Sequence, residues 1–173
     1  GQPYQDESFL DRIVCQTSNK KGKRFSRGSY MGLNTPKDQD KEWAVFDIDK
    51  KRTYVTWTQF DLYGSELPED RSMILGSFSD DYGKTWSPSF RLSHISGDCM
   101  DSDSTTEGAV PAVGLKGEMF VSWALNEKIY FNVFSEGDSI PQEKAIAEQV
   151  GGWDQMIDGL NRTNGMPVTV TDL

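Results

Sequence analysis

The chain has 173 residues, 27 of them acidic against 18 basic, for a formal net charge of −9. That balance argues against a nucleic-acid-binding face, which selects for Lys and Arg, and no apolar run is long enough to span a bilayer as a helix. With 16 Gly, 5 Trp and 12% aromatic residues, the composition suits short strands joined by tight turns.

Residues 1–8 carry no strand pattern and read as a disordered or tag-proximal N-terminus. From residue 9 to 173 the chain reads as one all-β domain. Strands are predicted over 12–17 and, more weakly, 29–31, the outer half of a first unit near 9–31. A complete unit of four antiparallel strands follows over 42–93, with strands at 43–47, 53–61, 72–79 and 86–93. A second spans 109–150, with strands near 110–115, 119–125, 129–135 and 145–150; its last stretch, EKAIAEQV, also suits a short helix. An inner strand over 166–172 opens a further partial unit, 166–173.

The units repeat. Arg52-Thr53-Tyr54-Val55-Thr56-Trp57 lines up with Glu118-Met119-Phe120-Val121-Ser122-Trp123 at an interval of 66, and both alternate like strands with one buried face. Phe78-Ser79 aligns with Phe134-Ser135 at an interval of 56, which assigns the difference of ten to the longer loop from Asp61 to Arg71. Pro111-Ala112-Val113 pairs with Pro167-Val168-Thr169 at the same 56-residue interval.

Residues 79–86 read SDDYGKTW, a match to S-x-D-x-G-x-T-W. Each specified residue has a mechanical task in a tight hairpin. Gly83 takes a positive φ, Asp81 accepts from turn amides, and Ser79 and Thr85 supply short local hydrogen bonds. Trp86 starts the returning strand and offers an apolar plate to a neighbouring layer. SNKKGKRF at 18–25 is a degenerate copy, and SEGDSI at 135–140 a shortened one.

This octet resembles the Asp-box, or BNR repeat, of sialidases and related β-propellers. From about Arg12 to Leu173 the chain is similar to bacterial exo-sialidase-like or glycosyl hydrolase-like proteins, which carry strings resembling KEWAVFD, GDCMDSDSTTEGAVP and NGMPVTVTDL. The resemblance implies a partial β-propeller of four-stranded antiparallel blades, about two full blades plus two incomplete ones, in a secreted or periplasmic protein acting on glycans. It also implies that Ser79, Asp81, Gly83, Thr85 and Trp86 are scaffold. Closed propellers take about four to eight blades, so the rest of the propeller is expected outside this chain. The function expected is a glycoside hydrolase on a sialidase-like scaffold; the alternative is a non-catalytic Asp-box propeller binding glycans or protein partners. Sialidases use three arginines, a Tyr nucleophile aided by an acid, and an Asp acid/base. No residue here matches those motifs: Arg12, in Asp11-Arg12-Ile13-Val14, lies on an expected outer strand directly before a degenerate box.

In a four-stranded meander, the first and third hairpins share one rim. The second hairpin and the link between units share the other. The first rim collects Lys20, Lys21, Lys23, Arg24, Lys50, Lys51, Arg52 and Lys84. The second collects Asp38, Asp40, Glu42, the acids of 61–70, and the loop GDCMDSDSTTEG at 97–108. Carboxylates two and four residues apart suit a proton-sharing pair or oxygen ligation of a hard cation. They equally suit an Asx-rich turn whose acids cap amides. Asp101, Asp103 and Glu107 are the catalytic candidates, and Glu42, Asp98, Trp153, Asp154 and Arg162 the substrate-binding ones, with Trp153 as a platform for a sugar ring. No cofactor is expected, although the 98–107 loop would suit a hard cation such as calcium. Cys15 and Cys99 have no metal spacing and either pair in an oxidising compartment or remain thiols. His94 has no nucleophile context, and Asn161-Arg162-Thr163 is a glycosylation sequon.

Overall fold

The computed structural model describes residues 10–19, 21–153, 156–160 and 163–172. Among these the regular structure is all strand, with no helix. Strand β1 (Ile13–Cys15) pairs antiparallel with β4 (Ser29–Met31), and a short hairpin of β2 (Ser18–Asn19) and β3 (Arg24–Phe25) falls between them on the degenerate box. The first four-stranded meander is β5 (Asp38–Asp47), β6 (Arg52–Phe60), β7 (Ser72–Ser79) and β8 (Phe90–Arg91). The second is β9 (Glu107–Val113), β10 (Met119–Leu125), β11 (Lys128–Phe134) and β12 (Lys144–Glu148).

Two expectations change and one alternative is settled. The strand expected over 86–93 shrinks to Phe90–Arg91. Its start is held by the box instead, where the Ser87 amide donates to the Phe78 carbonyl and Pro88 has no amide to give. The strand expected near 145–150 is β12, paired to β11 with all five residues exposed, so ladder hydrogen bonds prevail over the helix propensity of this stretch. Residues 166–172 form no ladder. They lie along β9, where the hydroxyls of Thr169 and Thr171 donate to the carbonyls of Val110 and Val113.

Strand β6 is the centre of the packing. Val55 and Trp57 face the β1–β4 pair, in a cluster with Ile13, Met31 and Leu75, against which Trp86 packs. Tyr54, Thr56 and Thr58 face the second meander, and their hydroxyls donate to the carbonyls of Gly117 (2.9 Å), Ala109 (2.6 Å) and Thr106 (3.1 Å). The alternation of β6 therefore does not separate core from water, because both of its faces are buried. The same register recurs one sheet on. Val121 and Trp123 face back into the core that contains Tyr54, and Ser122 on the other face meets Thr169. Tyr54 and Phe120 thus occupy equivalent positions.

The alignment of Phe78 with Phe134 is off by one residue. Tyr54 pairs with Phe78, whereas Phe120 pairs with Val133 and Phe134 with Met119. A one-residue slip reverses the face, so Phe78 and Phe134 meet across the core from opposite sheets, with ring centroids 6.2 Å apart.

The octet at 79–86 makes the bonds its spacing predicts. Ser79 Oγ donates to Asp81 and accepts the Gly83 amide, while Asp81 accepts the Lys84 and Thr85 amides and the Thr85 hydroxyl. Those bonds, the Thr85 amide foremost, hold the Asp81 carboxyl well below the usual range. Trp86 Nε1 donates to Ser29 Oγ, tying the box to β4. Beside it, Arg52 places its fork on Asp80 (2.5 and 2.7 Å) and its third nitrogen on Glu136 (2.6 Å), with Phe78 3.9 Å beneath.

Gly83 has φ 77°, and a Cβ there would lie 2.8 Å from Cys15 Sγ; Gly137 has φ 89° with nothing within 4 Å. Gly137→Ala should therefore cost only left-handed strain, about 1 kcal/mol. Gly83→Ala should cost more, about 2 to 3 kcal/mol, because a sheet contact must also give way. Urea midpoints of the two variants measure the difference, and equal losses would contradict this packing.

Candidate functional site

The site begins with a bulge. The β5–β6 register shifts between Asp40 and Trp43, and Lys41 in the gap takes φ 52°. The β9–β10 register shifts at the corresponding place, where Gly108 has φ 72°. Glycine adopts this conformation freely, whereas lysine does so at a cost. The bulge redirects the Lys41 side chain off the ladder and toward the second sheet.

Its ammonium lies 3.0 Å from Glu107 Oε1, 3.5 Å from Asp101 Oδ1 and 4.0 Å from Asp40 Oδ2. It also stands 5.3 Å from the centre of the Trp153 ring. Trp153 Nε1 donates to the Ser102 carbonyl. The other oxygen of Asp101 accepts the Tyr63 hydroxyl at 3.0 Å, and the Tyr63 amide donates to Asp38. Segments 38–42, 61–70, 98–107 and the turn at Trp153 therefore meet around Lys41 and Asp101.

Burial divides the cluster. The Glu107 side chain is 0% exposed and Trp153 1%, while Asp101 keeps 22% of its side chain accessible. Burial pushes the Glu107 carboxyl up to about 7, opposed by Lys41 and reinforced by Asp40 and Asp101. Burial also works against the Lys41 charge, but its three carboxylate neighbours outweigh that and hold its pKa above the ordinary value. Lys41 thus stays an ammonium throughout, and it is Glu107 that changes state, from carboxyl below about 7 to ion-pair partner above. Among the described residues Glu107 Oε2 is buried without a hydrogen-bond partner.

The remaining candidates divide. Asp98 serves its own turn, accepting the hydroxyls of Ser102 and Thr105 and the Met100 amide. This is the Asx-rich arrangement. Asp103 is half-buried with its carboxylate against Gly152, and is not among the ion pairs of Lys41. Glu42 is exposed and takes no part in these contacts. Trp153 is a covered wall of the cluster, so the open sugar platform expected of it is not what its surroundings form. Asp154 and Arg162 lie outside the described residues. Glu107 begins strand β9 and does not ride in the loop. Among the described residues no three His, Cys, Asp or Glu side chains converge as a metal site, and the oxygens of Asp98 are occupied by its turn. Cys15 and Cys99 are free thiols, and His94 pairs with buried Glu143 at 3.3 Å.

Lys41 and Tyr63 are the residues that sequence reasoning passed over. Lys41 had a signal, as the one cation in the acidic string DQDKE at 38–42; Tyr63 had only its place as the one phenol of the long loop. No protein-family model matches the chain, and no curated protein matches it.

The folded state holds the Glu107 proton more tightly than an unfolded chain would. Its stabilising contribution is full below the ordinary value of 4.5 and is lost as pH rises through about 7. Urea unfolding across that window should show a fall in stability that Glu107→Gln flattens. Parallel profiles for the two proteins would refute a raised Glu107.

Proposed function

We propose that this chain belongs to the sialidase-like, Asp-box β-propellers, with residues 42–93 and 109–150 as successive blades flanked by partial ones. We further propose that it acts on glycans as a glycoside hydrolase, secreted or periplasmic in a bacterium. The repeated strand register, the stacking order of the sheets and the bonding of the box support the scaffold. The observation that carries the activity is the setting of Asp101. Its carboxylate is oriented on one side by the Lys41 ammonium, keeps a partly open face, and accepts the phenol of Tyr63 on the other. A carboxylate so fixed can stabilise the positive charge that develops on a sugar ring as its glycosidic bond breaks. Glu107, fully covered, does not touch substrate; it positions Lys41 behind Asp101. The surplus of carboxylates favours a neutral glycan over an anionic one.

The full burial of Glu107 and Trp153 favours a second reading, a non-catalytic propeller that binds glycans through the same rim. One experiment separates the two. Incubation with a panel of nitrophenyl glycosides should give turnover that Asp101→Asn lowers by about 10² to 10⁴-fold, with the melting temperature preserved. Glycan binding without turnover selects the second reading, and turnover indifferent to Asp101→Asn removes Asp101 from the chemistry.

A further inference from the structure

The two meanders share strand order, bulge and facing residues, yet their second hairpins differ. Between β10 and β11 the chain turns through Asn126 and Glu127 alone, both at positive φ (50° and 55°), the tight turn matched to strand twist. Between β6 and β7 it takes residues 61–71 to close the same gap. The sheet does not need this length, as its neighbour demonstrates, and loops that exceed what a scaffold requires are where binding is commonly carried.

The long loop is also braced. The Asp61 amide donates to the Arg71 carbonyl, and the Arg71 amide donates back to Asp61 Oδ2 at 3.0 Å. Ser65 Oγ donates to Asp70, and the Gly64 amide donates to the Cys99 carbonyl at 2.7 Å, seating the loop on 98–101. Phe60 meets Tyr63 edge-on at 5.2 Å. This bracing holds large apolar groups in water: Leu62 is 52% exposed, Leu67 56%, and Met100 on the adjoining loop 51%. Around them stand Glu66 and Glu69, exposed, and Asp70 and Asp98, half-buried, while Asp61 is paired with Lys37 at 2.6 Å and Arg71 at the end of the loop is exposed, so that carboxylates outnumber cations.

We infer that loop 61–71 with Met100 is a docking surface for a protein partner that presents a cationic segment bearing apolar side chains. Scattered exposed leucines need no explanation, but apolar groups held in water by one pre-ordered loop and its neighbour, amid a surplus of carboxylates, mark an interaction site. The surplus of carboxylates over Lys37 and Arg71 selects the sign of the partner and speeds its approach. It also disfavours anionic lipid and nucleic acid. Leu62, Leu67 and Met100 offer a sugar no stacking face and few hydrogen bonds, whereas Tyr63 of the same loop belongs to the Asp101 site, so the docking argument rests on the aliphatic and thioether groups alone.

The probe is a synthetic peptide alternating Lys with Leu, set against the same peptide with Glu for Lys, and binding is read by fluorescence anisotropy. The native protein should bind the Lys peptide, more weakly as salt rises, and not the Glu peptide. The double variant Leu62→Ser with Leu67→Ser leaves the charge unchanged and should lower affinity at least about tenfold. This separates docking from diffuse attraction to an acidic protein. Closing β6 to β7 with Asn-Gly in place of 61–71 should abolish binding, and if that chain fails to fold the double serine variant decides. The inference is overturned if the double variant binds like the native protein, if both peptides bind alike, if the Lys peptide does not bind, or if anionic vesicles bind in its place.

Discussion

Three hydroxyl groups set the relation between the two large sheets. Tyr54, Thr56 and Thr58 lie on one face of β6 and donate to main-chain carbonyls at Gly117, Ala109 and Thr106, in a seam from which water is excluded. A buried hydroxyl left without a partner costs more than the bond itself contributes. Each donor therefore holds its carbonyl in place, and three donors spaced two residues apart fix the slide of one sheet over the other. The last of them bonds to Thr106, the residue before Glu107, so the same seam brings Glu107 within reach of Lys41. The candidate site is in this sense a consequence of how the sheets stack.

Much of this was legible in the chain. The register of Tyr54 with Phe120 could be read because alternation has a period of two and both strands keep it without interruption. The box could be read because every bond it makes is local, closing within a few residues of Ser79. What could not be read depends on distant partners. Thr56 and Thr58 look like the solvent side of a half-buried strand, and only the neighbouring sheet turns their polarity into an inward-facing seam. The shift of Phe78 against Phe134 escaped notice because an aromatic followed by Ser reads alike in either register. The pairing across each sheet, set by its turn, decides the face.

Glu107 illustrates the same limit in the site. As part of an acidic string it reads as one more solvated loop carboxylate, yet it opens β9 and is fully covered. Its role is defined by Lys41, sixty-six residues earlier, and Lys41 reaches it only because a bulge places lysine in a left-handed conformation that the second sheet assigns to Gly108. A strained residue where a sibling position uses glycine implies that its side chain, and not the turn, is what the position keeps.

The charges that segregate to the two rims in the sequence act in the fold as ties between sheets, and the two ties differ in kind. At the basic rim Arg52 clamps Asp80 of its own sheet and Glu136 of the next over the Phe78 ring. Its bond to Asp80 first, with the other partners outweighing desolvation, raises an already high pKa, so the Arg52 end of this tie keeps its charge at any pH a folded protein meets. At the acidic rim Lys41 takes the same three kinds of neighbour: a carboxylate near it on β5, carboxylates from the second sheet and its approach, and an aromatic ring. One of those carboxylates, Glu107, is buried deeply enough to change its charge near neutrality. Protonation there removes a partner from Lys41 and leaves Asp101 as its nearer remaining negative charge, so the field at Asp101 depends on a proton it does not itself carry. A rim that handles a ligand can use such sensitivity, which agrees with the proposal that a glycan is handled beside Lys41 and Asp101.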